Sequence, residues 1–202
     1  MIRLYWSPRT RATRAVWLME ESGLPYEIEP VNIHDPAAKA ASPGFLAASP
    51  LGKVPAIQDG PVAMADSAAI GIYIGDRYPE TRLAPAIDDP DRGRYLFWMT
   101  FSPGVIEPAM AERFYNIAPN PVAHGWGTFD AMIETVARAV EPGPWLLGDR
   151  FTAADVMIGS ALSYMGYVGM LPDDPVLRAY AGRCEARPAR QRAREKERAL
   201  GG

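Results

Sequence analysis

Three short groups of residues in the N-terminal third are suited to holding a small polar ligand. The first is Ser7-Pro8-Arg9-Thr10-Arg11, between a β-prone run and a helical one. A hydroxyl at a helix N-terminus caps free N–H groups as readily as it does chemistry. Its chemical use would be to donate to a ligand thiolate, an anion that the helix dipole also favours. The second is Gly52-Lys53-Val54-Pro55-Ala56. A proline opening a strand is ordinarily an edge or register device. In a β-β-α setting, however, a cis Val54–Pro55 bond would turn the Val54 backbone outward, where it can pair with an extended peptide as an added strand does. The third is Asp66-Ser67, at the start of a helical stretch. Capping alone explains the pair, yet the first-turn N–H groups and the Ser67 hydroxyl also suit a carboxylate. Asp66 can at the same time accept from an ammonium. A carboxylate and an ammonium on one carbon make an α-amino acid head group.

Other chemistries lack their parts. Cys184 is the single cysteine, so neither an internal disulfide nor a thiolate zinc cluster is expected. His34 and His124 lie in unrelated segments, which disfavours a Ser-His-Asp arrangement and makes a metal site unexpected. Over 202 residues, 48% apolar and 22% charged is a globular composition. A net charge of -3 argues against a general nucleic-acid binder, which usually carries a basic excess. The N-terminus places arginines where a signal peptide needs an apolar core, and no apolar run reaches membrane-spanning length. A soluble, cytoplasmic protein is the expectation.

The elements that must position these groups change character near residue 85. Before it, apolar patterning predicts a strand over 2–6, a helix over 11–22 stopped by Gly23 and Pro25, and a second strand over 26–31 whose Pro30 hints at an edge. Residues 35–50, rich in proline, alanine and serine, read as broken helix and loop. Runs at 54–57 and 62–65 flank Gln-Asp-Gly as a hairpin, and a helix over 66–78 follows. The helix between the first two strands favours pairing them in parallel, and the short turn makes the last two antiparallel. Residues 84–91 carry two prolines and three acids and read as a linker. Beyond it the patterning predicts helices over 90–116, 125–141, 152–168 and 173–186, with Pro103 and Pro108 kinking or breaking the first. Thr152 is the expected N-cap of its helix, with Asp155 as capping-box partner and Phe151 as staple. The tail from Arg187, with six basic residues and two glutamates, reads as a solvated helix or frayed end.

The order and spacing of these motifs resemble the cytosolic glutathione S-transferase superfamily over nearly the whole chain. The resemblance rests on SPRT after LYW, on WLMEESGLPYE, SPLGKVPAI and DSAAI, and on WLLGDRFTAADVMIG. It implies an α/β thioredoxin-like N-terminal domain over 1–80, a linker over 81–88 and an all-α domain over 89–202, usually in a homodimer. It also implies glutathione as co-substrate, with no metal. Val54 and Pro55 match the residues that pair with its cysteinyl backbone, and Asp66 and Ser67 the pair that holds its γ-glutamyl group. Lys53 matches a position near its glycyl carboxylate. Ser7, before Pro8, is similar to the serine of tau-like enzymes, with Thr10 and Arg11 as alternative thiolate contacts. No cysteine lies in this region, which excludes thiol-disulfide exchange through an enzyme cysteine. An apolar electrophile site is expected between the domains, with Trp6, Trp98, Phe101, Phe114 and Tyr115 as candidates, although aromatic residues at helical spacing are more often core. The leading expectation is glutathione addition to an apolar electrophile, in detoxification. The alternatives are a non-catalytic binding or regulatory protein of the same fold, for which the basic tail speaks, and a glutathione-dependent peroxidase, reductase or isomerase.

Overall fold

A computed structural model describes residues 1–201. In the first part of the chain, β1 (Ile2–Trp6), α1 (Ala12–Ser22) and β2 (Tyr26–Pro30) form a β-α-β unit. The short helices α2 (Pro36–Ala40) and α3 (Pro43–Ala48) come next, then β3 (Ala56–Asp59), β4 (Val62–Ala65) and α4 (Ser67–Arg77). The four strands make one mixed sheet in the order β2-β1-β3-β4. β1 runs parallel to β2 and antiparallel to β3, which is antiparallel to β4. Pro30 is tolerated because β2 is an edge strand. The sheet core is Leu4, Tyr5 and Ile57, with Val16, Trp17 and Met19 of α1 and Ile70 and Ile74 of α4, all buried. Gly23, at a φ of 67°, takes the left-handed turn that ends α1, a conformation a side chain would strain.

The helical part holds α5 (Arg92–Phe101), α6 (Glu107–Phe114), α7 (Phe129–Val140), α8 (Ala153–Tyr167) and α9 (Pro175–Glu185). Its buried side chains include Tyr95, Met99, Ile106, Val136, Leu146, Val156, Ile158, Leu162, Leu177 and Tyr180. Pro103 does not break the first of these helices. Residues Ser102–Ile106 form a π-helical turn that joins α5 to α6. A proline has no N–H to give the carbonyl four residues back, and the wider turn carries the helix past that gap. At the start of α8, Asp155 Oδ2 accepts from the Thr152 N–H at 2.9 Å. Its Oδ1 accepts from the Leu146 N–H and the Tyr180 hydroxyl, both at 2.9 Å. Burial pushes the Asp155 carboxyl up to about 6, against the pull of those donors.

One expectation is corrected at the C-terminus. Residues 186–202 group with Met1–Ala84, while Pro85–Glu185 form the other unit. The tail is neither frayed nor part of the helical domain. It forms α10 (Pro188–Ala199), which lies on α1. Ala189, Arg190, Ala193 and Glu197 are buried, one face of the helix on which two alanines sit beside two charged residues, and the count of charges conceals it. β3 also begins at Ala56 rather than at Val54, leaving Val54 and Pro55 ahead of the ladder.

Candidate functional site

The three sequence groups meet because of strand register. Tyr5 pairs with Ala56, and Ala56 with Ala65, so one cross-strand row runs over β1, β3 and β4. β1 and β4 run one way and β3 the other. The residues just after β1, just before β3 and just after β4 therefore lie beyond the same end of the sheet. Those residues are Ser7, Val54-Pro55 and Asp66-Ser67. Adjacent strands lie about 4.8 Å apart, so the two steps from the β1 position to the β4 position span about 10 Å.

At the β4 position, Asp66 caps α4. Its Oδ1 accepts from the Ala68 N–H at 2.8 Å and from the Ala69 N–H at 3.2 Å. Oδ2 takes no part in the cap. Asp66 holds a φ of 80°, a conformation that costs a non-glycine residue energy and that clusters at ligand-binding turns. Ser67 is the first residue of the helix and is buried. Positive partial charge at this helix end favours a carboxylate beside Ser67, and the Asp66 side chain favours an ammonium.

At the middle position the Val54–Pro55 bond is cis. Neither the N–H nor the carbonyl of Val54 bonds to another described residue. The loop before it is anchored by Ser49, a buried residue absent from the sequence reading. The Ser49 hydroxyl accepts from the Lys53 N–H at 2.9 Å, and its carbonyl accepts from the Gly52 N–H at 2.8 Å. Gly52 has a φ of 59°, and a Cβ there would lie 3.1 Å from Lys39 Cδ and 3.6 Å from its Nζ. The Lys39 side chain thus lies against the loop at Gly52, the residue before Lys53. It too was missed, since nothing in the spacing of 35–50 ties Lys39 to residue 52.

At the β1 position, Ser7 is 4% exposed, and no described residue engages its hydroxyl. Thr10 is differently placed. Its hydroxyl donates to the Ser7 carbonyl at 2.7 Å and accepts from the Ala12 N–H at 3.2 Å. Both bonds are local to the turn that leads into α1. Arg11 precedes α1 without a side-chain cap. Of the aromatic candidates, Trp6 is buried, with its indole N–H donating to Glu197 at 3.0 Å. Trp98 and Phe101 are buried and stack tilted, with centroids 4.9 Å apart. Phe114 and Tyr115 are 59% and 70% exposed and meet edge to face at 5.1 Å. Phe97, also exposed and in contact with both Trp98 and Phe101, was not singled out. Cys184 is buried in the helical part, and burial together with Asp155 pushes its thiol far up, so it is inert.

Comparison with known proteins gives the family. A model of the glutathione S-transferase N-terminal domain matches residues 6–77, and one of the C-terminal domain matches residues 109–183. The chain is 34% identical over 54% of its length to glutathione S-transferase 3 of Schizosaccharomyces pombe, spanning 43% of that relative. It is 25% identical to the disulfide-bond oxidoreductase YfcG of Escherichia coli, over 77% of this chain and 76% of the relative. Among solved structures, a glutathione transferase of Methylococcus capsulatus superposes with a TM-score of 0.82, at 29% identity over 98% of both chains. A sphingomonad glutathione S-transferase complexed with glutathione gives 0.74, at 28% identity over 96% of this chain and 98% of that one.

Proposed function

The chain belongs to the glutathione S-transferase family, and from that premise we propose that it binds glutathione across the end of the sheet and adds the ionised thiol to an apolar electrophile. The observation that carries the reading is the row Tyr5–Ala56–Ala65, which lines up the three polar groups about 10 Å from end to end. In that order, Asp66 and Ser67 take the γ-glutamyl ammonium and carboxylate. The Val54 backbone pairs with the cysteinyl unit as an added strand would. The Ser7 hydroxyl donates to the sulfur. Lys53 and Lys39 offer cations to the glycyl carboxylate at the loop.

Ser7 needs no general base in this scheme. It stabilises the thiolate by a hydrogen bond at the N-terminal end of α1, which raises the ionised fraction near neutral pH. With an aryl halide, the sulfur forms a C–S bond and halide leaves with the electron pair of the broken bond. The exposed Phe114 and Tyr115 are the two aromatic candidates with ring surface to offer an apolar electrophile.

A second reading, glutathione-dependent disulfide reduction, is favoured by the likeness to the disulfide-bond oxidoreductase. Cys184 is remote in sequence and buried, so both thiols would have to come from glutathione. In the alternative reading as a partner-binding module, three of the six basic residues of the tail, Arg187, Arg192 and Lys196, are already engaged by glutamates of α1.

Calorimetry of glutathione binding, wild type beside Ser67→Ala, tests the site. Micromolar to millimolar binding that the substitution abolishes supports it, and no binding by folded wild type refutes it. Assays with an aryl halide and with a glutathione mixed disulfide then separate the two chemistries.

A further inference from the structure

The turn that presents Ser7 is held from both sides by the last helix. Ser7 follows Trp6 directly, and α1 begins at Ala12. Between them, Arg9 sits at a φ of 55°, in the left-handed region that a non-glycine residue occupies only under restraint. The Thr10 hydroxyl ties the turn to itself through the Ser7 carbonyl. The conformation of the turn therefore depends on where its two ends are anchored.

Helix α10 bonds to Trp6 directly before the turn and, on the other side, to the C-terminal half of α1. On the far side of the turn it is clasped to α1. Arg187 makes two bonds to Glu21, at 2.5 and 2.7 Å. Arg192 and Lys196 both reach Glu20, at 2.8 and 2.5 Å. The Arg190 guanidinium lies 5.2 Å from the Trp17 ring centroid. On the near side, Glu197 Oε1 accepts from the indole N–H of Trp6 at 3.0 Å, in a bond buried from water and spanning 191 positions of sequence. An indole N–H is a donor with no second role. Leaving it or the Glu197 carboxyl unpaired in the interior is costly, so the bond fixes the Trp6 ring. The Trp6 backbone is fixed as well, its carbonyl accepting from the Val31 N–H at 2.7 Å. The next residue along is Ser7, whose hydroxyl must come within about 3 Å of a sulfur to act, and a displacement of about 1 Å is enough to lose such a contact.

We infer that Glu197 is a positioning residue for Ser7, acting through the Trp6 indole to hold the hydroxyl where a glutathione thiolate binds. The inference rests on the reading of Ser7 as thiolate donor. It makes a residue close to the C-terminus a determinant of the chemistry at the end of β1, through an acceptor that only α10 supplies.

The test is an ultraviolet titration of the bound glutathione thiolate at saturating glutathione in wild type, Ser7→Ala, Glu197→Ala, Glu197→Gln and the Ser7→Ala/Glu197→Ala double variant. Glu197→Ala is expected to raise the titration midpoint by about one pH unit, roughly a tenfold loss of thiolate at neutral pH. Its glutathione Kd stays within about threefold of wild type, because the Asp66 end is untouched. Glu197→Gln keeps an acceptor oxygen for the indole and restores the wild-type midpoint. In the Ser7→Ala background, Glu197→Ala adds no further shift. A folded Glu197→Ala variant with the wild-type midpoint, beside a shifted Ser7→Ala, overturns the positioning role and leaves the Ser7 reading standing. Equal shifts in both backgrounds also overturn it, since they show a general structural effect. An unshifted Ser7→Ala removes the Ser7 reading and this inference with it. Should Glu197→Ala fail to fold, Trp6→Phe removes the donor while keeping an aromatic body and is judged by the same midpoints.

Discussion

Ser7 and Thr10 look alike in the sequence, two hydroxyls flanking a turn, and only their partners separate them. Thr10 spends its proton on the Ser7 carbonyl, whereas the Ser7 hydroxyl has no partner among the described residues. Ser7→Ala should therefore raise the pH at which transferase activity appears by about one unit, with glutathione Kd changed less than about threefold, as a pH–rate profile and calorimetry would show. Thr10→Ala should instead lower stability by about 1 kcal/mol, the usual cost of a lost cap, with the pH profile in place. Asp66 caps α4 and is the proposed contact for the γ-glutamyl ammonium, and Asp66→Asn pulls the two apart. Asparagine caps as well as aspartate and tolerates a positive φ, so the melting temperature should hardly move. Removing the charge that meets an ammonium should weaken glutathione binding by about tenfold or more. The types of these residues were legible in the sequence because capping, turn and anion-binding chemistry is local. Ser49 and Lys39 were not, because each acts on residues 52 and 53 across a loop whose path is decided by packing.

At the scale of elements, two carboxyl groups give stability opposite dependences on pH. Burial alone would raise the Glu20 carboxyl, yet hydrogen bonds from Lys196, Tyr26 and Arg192 bring it below its ordinary value of 4.5. A lowered value in the folded state means that the α1–α10 clasp is fully present above pH 4.5 and is lost as the pH falls through the folded value. Asp155, raised by burial from 3.8 to about 6, works the other way: its contribution is complete below 3.8 and is lost as the pH rises through about 6. Denaturant titrations of Asp155→Asn across that window should show a flatter pH dependence than wild type. They should also show a loss of about 2 kcal/mol or more, since an amide cannot accept from Leu146, Thr152 and Tyr180 at once. Most elements were legible from periodicity, β1 and β4 to the residue, as was the Thr152–Asp155 pairing at the start of α8. The π-helical turn at Ser102–Ile106 was not, because a proline inside a helical pattern signals an interruption without saying whether the helix ends or widens.

For the whole molecule, the first unit is discontinuous, built from residues 1–84 together with 186–202. Deleting the chain after Glu185 removes a buried face and the partners of Glu20, Glu21 and Trp6. The melting temperature should fall by roughly 10 °C, the equivalent of about 3 kcal/mol for a protein of this size. Glutathione affinity should fall with it, and scanning calorimetry with and without ligand would read both. An unchanged melting temperature would mean that α10 is a passive appendage. Sequence alone determined the family, the succession of a mixed α/β unit and a helical one, and the kinds of residue that we propose meet a γ-glutamyl head, a peptide backbone and a thiol. These rest on local patterning, capping and turn chemistry, which act within a few residues of themselves. The tertiary structure decided which hydroxyl bonds within the turn, which loops meet beyond one end of the sheet, and that the basic tail closes on the N-terminal unit. Those outcomes depend on strand register and on partners as much as 191 positions apart, whose pairing becomes favourable only when the core that brings them together is buried.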